Sequence, residues 1–97
     1  MASDSSRFEL VRLLIRVDQL NALSDFLRGN PYFDQPEVVS SRVLHAVTGD
    51  EVVLVIEWAD ADASKRALSS SVGSAFVEGI GEFLTGPPSI AHYRSDR

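Results

Sequence analysis

The chain has 97 residues, a formal net charge of −5 and no cysteine. Its length fits one small domain, and its hydrophobic content of 44% is typical of folded globular proteins. The nine lysines and arginines are scattered, which argues against a nucleic-acid surface. The absence of cysteine excludes disulfides, thiolate nucleophiles and thiolate metal sites from this sequence.

The first residues, MASDSSR, are small and polar. We therefore expect a disordered tail over residues 1–7, followed by a single domain over residues 8–97. The start lacks the basic and apolar regions of a signal peptide, and no apolar run is long enough to span a membrane. A cytoplasmic protein without membrane contact is the expectation.

The first predicted elements are a strand, FELVRLLIRV (8–17), and a helix that follows it. The strand is apolar at every second position on one face, and its other face is half apolar with two arginines. Asp18 can cap the helix by accepting backbone N–H bonds, and Gly29, Asn30 and Pro31 end it. A loop with two aromatic residues comes next.

A predicted hairpin and a broken helix complete the pattern. The strands EVVSSRVLHAV (37–47) and VVLVIEW (52–58) are joined by a tight turn at Gly49-Asp50. The second of these strands is apolar on both faces, as expected of a central strand. The next segment has helical spacing but is interrupted by serines and a glycine near residue 70, and SIAHYR (89–94) is the last predicted strand.

The order β-α-β-β-α-β predicts an α+β, ferredoxin-like fold, with a four-stranded antiparallel sheet and both helices on one face. The helices leave the other face bare, although it carries Leu10, Leu14 and half of the apolar residues of the third strand. An exposed apolar sheet of this size is a liability in water. We therefore expect a homodimer in which two protomers pack their open sheet faces together.

The segment from Val52 to Tyr93 resembles the antibiotic biosynthesis monooxygenase family, a set of dimeric α+β barrels. One shared feature is the strand end Glu57-Trp58 before an acidic, alanine-bearing helix start. The others are a broken second helix, with Phe76 and then GEFLTGPP, and a last strand that ends with a histidine and a tyrosine. The N-terminal half matches by element order only.

The resemblance implies a ligand pocket between the sheet and the helices of each protomer. Some members of the family oxidise polycyclic phenols or anthrones to quinones with dioxygen and no metal or flavin, and others degrade haem. Related dimers cyclise or aromatise polyketides. Only Trp58 carries over residue for residue, because Leu54 stands where the quinone-forming members have an asparagine and Ala67 where many members have a histidine. No histidine lies near Phe76 to ligate a haem iron.

The candidate ligand-binding residues are Trp58, Leu54, Tyr32, Phe33, Phe76 and Arg12. Strand parity, the loop after the first helix or the helical pattern places the first five of these near this pocket. The indole of Trp58 could stack on an aromatic ligand and donate one hydrogen bond, or it could fill the core at the strand end. Tyr32 and Phe33 could cover the pocket mouth or pack beneath their loop.

Candidate catalytic residues are His45, His92 and Arg42. His45 lies among valines, where an imidazole could act as a base near neutral pH or be a half-buried histidine bonded to a backbone carbonyl. His92 and Tyr93 face opposite sides of the last strand, so at most one of them points towards the helices. Arg42 and Arg12 could stabilise an enolate or phenolate oxygen, or be surface charges and dimer ion pairs.

The histidines lie on different strands without an acidic cluster, so we expect no metal site, and no cofactor is expected. The sequence therefore predicts a cofactor-independent monooxygenase that acts on a polycyclic aromatic or polyketide intermediate of secondary metabolism. Two alternatives remain open: a polyketide cyclase or aromatase on the same fold, and a non-catalytic ligand-binding dimer.

Overall fold

The computed structural model describes residues 7–95, which form one antiparallel sheet with helices on one face. The strands are β1 (Arg7–Leu14), β2 (Val38–His45), β3 (Glu51–Trp58) and β4 (Ser89–Arg94), in the sheet order β2-β3-β1-β4. The helices are α1 (Leu20–Leu27), α2 (Ala63–Ser69) and α3 (Ser71–Gly81). The α+β, ferredoxin-like prediction is confirmed, with the second helix present as two pieces.

The predicted tail, residues 1–7, lies outside the described residues except for Arg7, which begins β1. The predicted first strand was too long, because β1 ends at Leu14 and Ile15 makes only an isolated bridge to Leu84. The chain then enters a short 3-10 turn, Val17–Gln19. Within residues 7–95 no helix is long and apolar enough to cross a membrane.

The core lies between the sheet and the helices. On β3 every second side chain, Val52, Leu54, Ile56 and Trp58, faces the helices and is at most 3% exposed. The other four residues of β3 are half-buried and face away from the helices. The apolar character of both faces of this strand therefore reflects its central place between β1 and β2.

Ser70 separates α2 from α3. Its backbone is extended, with φ −79° and ψ 165°, and its hydroxyl oxygen accepts a 3.0 Å hydrogen bond from the backbone N–H of Gly73. This is an N-cap in the usual sense, since it satisfies one of the free donors at the start of α3. Asp18, the cap predicted for α1, lies inside the 3-10 turn instead, and α1 begins after Gln19 without a side-chain cap.

Two glycines take backbone conformations that other residues adopt rarely. Gly29, with φ 67°, follows α1, and Gly49, with φ 98°, lies in the turn between β2 and β3. Both positions agree with the helix end and the hairpin turn expected from the sequence. A register shift between Val38 and Ser40 places a bulge at the start of the edge strand β2.

Candidate active site

A cavity of about 180 Å³ lies between the sheet and the helices α2 and α3. The sheet supplies side chains from β1, β3 and β4, and most of the opposite wall comes from α3. Apolar side chains make up nearly all of the lining, among them Val11, Leu13, Leu54, Ile56, Phe76 and Ile80. A pocket of this composition suits the body of an apolar or aromatic ligand.

The mouth of the cavity is also apolar. Leu68 of α2, Val77 of α3 and Ile90 of β4 line it and are all substantially exposed to solvent. Pockets for drug-sized ligands usually enclose ~300–1,000 Å³, so the interior of this cavity is large enough for only part of such a ligand. The exposed rim provides apolar contact for the part of a larger ligand that extends out of the cavity.

Glu9 is the one charged side chain among the described residues that line the cavity. It is 6% exposed. Its Oε1 accepts a 3.0 Å hydrogen bond from the indole Nε1 of Trp58, and its Oε2 lies 3.5 Å from Nε2 of His92. A buried carboxylate is costly unless polar groups surround it, so Trp58 and His92 account for its presence at this position.

The sheet register explains how these three residues meet. Glu9 of β1 pairs directly with Ile56 on one side and with His92 of β4 on the other. Trp58 lies two residues beyond Ile56 on β3, which makes it a diagonal neighbour of Glu9 on the same sheet face. Three neighbouring strands thus bring a carboxylate, an indole N–H and an imidazole to one end of the cavity.

Tyr32 is the second polar residue of the lining. It lies in a 3-10 turn, Pro31–Asp34, and the side chain of Asn30 accepts a 3.0 Å hydrogen bond from its backbone N–H. Its ring stacks on Phe76, with centroids 4.2 Å apart and planes at 7°, and meets the ring of Trp58 edge-on at 6.2 Å. These contacts hold the phenol against the cavity wall.

The pKa of the Tyr32 phenol is raised well above its ordinary range, first because the ring is buried and second because the negative charge of Glu9 is nearby. Tyr32 therefore stays neutral and keeps its hydroxyl proton at neutral pH. Tyr32 lines the cavity, and among residues 7–95 its hydroxyl has no hydrogen-bond partner. It can donate that proton in a hydrogen bond to a bound ligand.

Comparison with known proteins finds similarity in solved structures, whereas no family model and no curated protein matches the sequence. A candidate antibiotic biosynthesis monooxygenase from Bordetella bronchiseptica superposes with a TM-score of 0.85 at 14% identity, over 97% of this chain and 100% of that chain. A second candidate of the same description, from Nitrosomonas europaea, gives 0.81 at 12% identity, over 91% and 88%. The protein Rv0793 from Mycobacterium tuberculosis gives 0.78 at 21% identity, over 91% and 92%.

The chain has the fold of the antibiotic biosynthesis monooxygenases. The likeness covers nearly the whole length of both chains, including the N-terminal half, where the sequence resemblance rested on element order alone. In this monooxygenase fold the cavity lies between the sheet and the helices, which is where the resemblance places a ligand pocket.

Three of the candidate ligand-binding residues, Leu54, Tyr32 and Phe76, line the cavity of the monooxygenase fold. Trp58 is buried behind Glu9, and its N–H is already bonded to that carboxylate. Phe33 stands outside the lining and packs edge-on against Tyr32 and Phe76, as expected of simple packing beneath the loop.

Arg12 does not reach the cavity. Side chains alternate along a strand, so Arg12 lies on the face of β1 opposite to Val11 and Leu13, which do line it. Its guanidinium forms an exposed ion pair with Glu51 on the open face of the sheet. In the structure Arg12 is therefore part of a surface ion pair and is not among the residues that line the cavity.

The candidate catalytic residues lie in three separate places. His45, the last residue of β2, borders a shallow depression beside Ser24 of α1 and Arg28, the residue that follows α1. Arg42 lies on the open face of the sheet. Neither lines the cavity, because β2 is the edge strand farthest from β4, so any catalytic role for them stays a prediction. Only His92 approaches the polar end of the cavity.

Glu9 is the residue that the sequence analysis missed. Its signal was present, because Glu9 shares strand parity with Val11 and Leu13 and is therefore a charged residue on an apolar strand face. Its partners come from β3 and β4 and are distant in sequence. Within residues 7–95 no group of three or more histidine, aspartate or glutamate side chains is placed to hold a metal ion.

Proposed function

We propose that this protein is a small monooxygenase-like enzyme that oxidises a phenolic or anthrone-type aromatic intermediate of polyketide metabolism with dioxygen and without a metal or flavin. The observation that carries the proposal is the cavity, which combines an apolar interior that includes the ring of Phe76 with one buried carboxylate and one neutral phenol. The likeness to structures named as antibiotic biosynthesis monooxygenases supports it.

The proposed chemistry needs little from the protein beyond binding, orientation and the handling of one proton. Removal of a proton from the substrate leaves an electron-rich anion, and that anion reduces dioxygen directly. The apolar walls exclude water from the anion and hold its rings in one orientation. The Tyr32 hydroxyl supplies a hydrogen-bond donor for the oxygen on which the negative charge develops.

The test is oxygen uptake when purified protein meets a phenolic anthrone, without added metal or flavin and against the autoxidation blank. Val77→Trp obstructs the mouth, because Val77 lines it and is exposed. Ser74→Trp places the same indole elsewhere on the exposed surface of α3, outside the cavity lining, and is the matched control. We expect protein-dependent uptake that falls at least ~10-fold in Val77→Trp and persists in Ser74→Trp, because loss of access removes both binding and orientation.

Uptake equal to the blank would contradict the oxidation. The same cavity suits cyclisation or aromatisation of a poly-β-ketone, which needs proton transfers but no dioxygen, and Leu54 in place of the asparagine of the quinone-forming members favours this second candidate. Product formation under strict anaerobiosis would identify such a cyclase. Ligand binding without any turnover would identify a non-catalytic binding protein.

We also propose that two protomers associate through their open sheet faces. The proposal rests on the apolar side chains that this face leaves partly exposed: Leu10, Leu14, Leu44, Val53, Val55 and Tyr93. Arg12 and Glu51 lie on the same face, and their charges neutralise each other in an ion pair. Burial of such a surface against a second copy removes the apolar area from water.

A further inference from the structure

We propose that Glu9 is the base that takes the substrate proton, that His92 passes this proton to solvent, and that Trp58 positions the carboxylate. This inference rests on the proposed function, because it assigns the one proton transfer that the oxidation requires. It concerns three residues that the register of β3, β1 and β4 places side by side.

The described lining of the cavity offers one base, Glu9. Glu9 is the charged group of the described lining and is nine-tenths buried, so its carboxylate faces a ligand with little competition from water. An ionised carboxylate has about four lone-pair sites. Trp58 occupies one site on Oε1, which leaves acceptor capacity for the acidic hydrogen of a bound ligand.

Trp58 acts through Glu9 and is a positioning residue. An indole N–H donates a hydrogen bond and cannot accept one, so its 3.0 Å contact fixes the orientation of the carboxylate without taking its proton. The indole is 3% exposed and is held edge-on by the ring of Tyr32. These contacts prevent the carboxylate from turning away from the cavity.

His92 connects the buried carboxylate to water. Its Nε2 lies 3.5 Å from Oε2 of Glu9, whereas its side chain as a whole is 63% exposed. An imidazole can receive a proton at one nitrogen and release another proton from the second nitrogen. His92 therefore joins a nearly dry group to the solvent at the outer strand of the sheet.

In the proposed transfer the proton moves from the substrate to Glu9, then to His92 and then to water. A C–H or O–H bond of the substrate breaks, its electron pair stays on the substrate as an enolate or phenolate, and an O–H bond forms on Glu9. The proton then moves to Nε2 of His92, and a proton leaves Nδ1 for water. No oxidant takes part, so the step can be observed without dioxygen.

The experiment measures exchange of the acidic methylene hydrogens of anthrone with deuterium in D₂O buffer under argon, by NMR, with the full-length protein. We expect the protein to accelerate exchange. Glu9→Gln keeps the side-chain volume and an oxygen for Trp58 but removes the base, and should slow the protein-dependent exchange by ~10²–10⁴-fold. Anthrone affinity, measured by calorimetry, should change little.

Two further variants separate the relay from the base. His92→Gln should slow exchange because the proton on Glu9 then returns to the substrate, and added imidazole buffer should restore the rate. Tyr93→Phe changes the adjacent residue, which faces the other side of β4, and should leave exchange unchanged. Trp58→Phe tests the positioning role. For the exchange reaction it should lower kcat more than it changes KM, because the carboxylate is still present but is less well oriented.

If a folded Glu9→Gln variant exchanged anthrone hydrogens at the wild-type rate, the assignment of Glu9 as the base would be overturned. A His92→Gln rate that equals the wild-type rate, or that imidazole fails to restore, would overturn the relay. Suppose that the protein accelerates exchange under argon but takes up no oxygen in air. That result would support the role of Glu9 as the base and would contradict the oxidation. Oxygen uptake that survives Glu9→Gln would support the oxidation while overturning this inference.

Discussion

Tyr32 links the cavity to the stability of the protein. Its ring forms part of the core, stacked on Phe76, and the residue also lines the cavity where a ligand is proposed to bind. Burial and the charge of Glu9 raise its pKa, so the folded protein holds the neutral phenol more strongly than the unfolded chain does. The same two causes keep the hydroxyl available as a donor.

A dependence of stability on alkaline pH follows from this shift. Below about pH 10, the ordinary tyrosine pKa, Tyr32 is protonated in both states and contributes no pH dependence. Above it the unfolded chain loses the proton that the folded protein keeps, so the free energy of unfolding falls by up to ~1.4 kcal/mol per pH unit. Tyr32→Phe should remove this contribution, as urea unfolding at pH 9 and pH 11 would show.

The two proteins should have parallel stability profiles between pH 7 and pH 9, which controls for other titrating groups. Equal loss of stability between pH 9 and pH 11 in the wild type and in Tyr32→Phe would show that the burial of this phenol has no energetic consequence. The comparison uses the difference in the free energy of unfolding between two pH values. The pH-independent effect of losing the hydroxyl group therefore cancels.

For single residues, the sequence indicated which face of the sheet a side chain lies on better than it indicated which other side chains it contacts. Strand parity placed Leu54 and Trp58 on one face of the sheet, and in the structure that face packs against the helices. Parity could not show that the Trp58 N–H would meet Glu9, because that contact joins residues 49 positions apart in sequence. The register between β1 and β3 decides it, and register depends on the pairing of whole strands.

At the scale of elements, the close approach of α2 and α3 depends on glycine. A side-chain Cβ at Gly73 would lie 2.7 Å from the Cα atom of Leu68, so the backbone around Ser70 would have to move. Gly79 leaves room for the ring of Phe26 from α1, where a Cβ would lie 2.6 Å from ring atom Cζ. Gly79 therefore allows a close contact between α3 and α1.

Gly73→Ala should destabilise the protein by ~1–3 kcal/mol, the usual cost of forcing extra volume into a packed site. Gly81→Ala is the matched control, because a Cβ at Gly81 meets no atom within 4 Å. That control should be neutral or stabilising by up to ~1 kcal/mol, since alanine favours helix. Urea unfolding of both variants measures the difference, and equal stabilities would contradict the steric argument.

The order of elements and the helix break were predictable because each has a local chemical signal. Ser70 caps α3, and glycines occupy the two positions of positive φ. Element ends were predicted less well: the apolar alternation of β1 continues to Val17 in sequence, but pairing with β3 ends at Leu14. A strand ends where pairing with its partner ends. The residue pattern of one segment carries no information on where that partner ends.

The whole molecule has one covered and one bare sheet face, and the proposed dimer follows from that asymmetry. The sequence indicated the asymmetry, because two helical segments can cover one face of a four-stranded sheet. In the proposed dimer, a second copy of the chain covers the other face. The two faces supply a matched pair of leucines, Leu44 on the open face at 46% exposure and Leu68 on the helix side at 42%.

Leu44→Lys should weaken self-association, because a charge in an apolar interface must be desolvated without a partner. Leu68→Lys introduces the same charge at similar exposure on the opposite side and should leave association unchanged. Sedimentation equilibrium over a range of protein concentrations measures both. A wild-type protein that remains monomeric at every concentration would contradict the proposed dimer, as would equal weakening by the two variants.

The register of the sheet also has a consequence for the order in which the molecule folds. The hairpin of β2 with β3 and the helix pair α2 with α3 close short loops, whereas β1 pairs with β4 from the opposite end of the described chain. Long loops cost more chain entropy to close, and such pairings form slowly. The contact between Glu9 and His92 depends on that long closure. A partly folded chain can therefore contain its helices and its hairpin without this polar site, and the site marks the completion of the native topology.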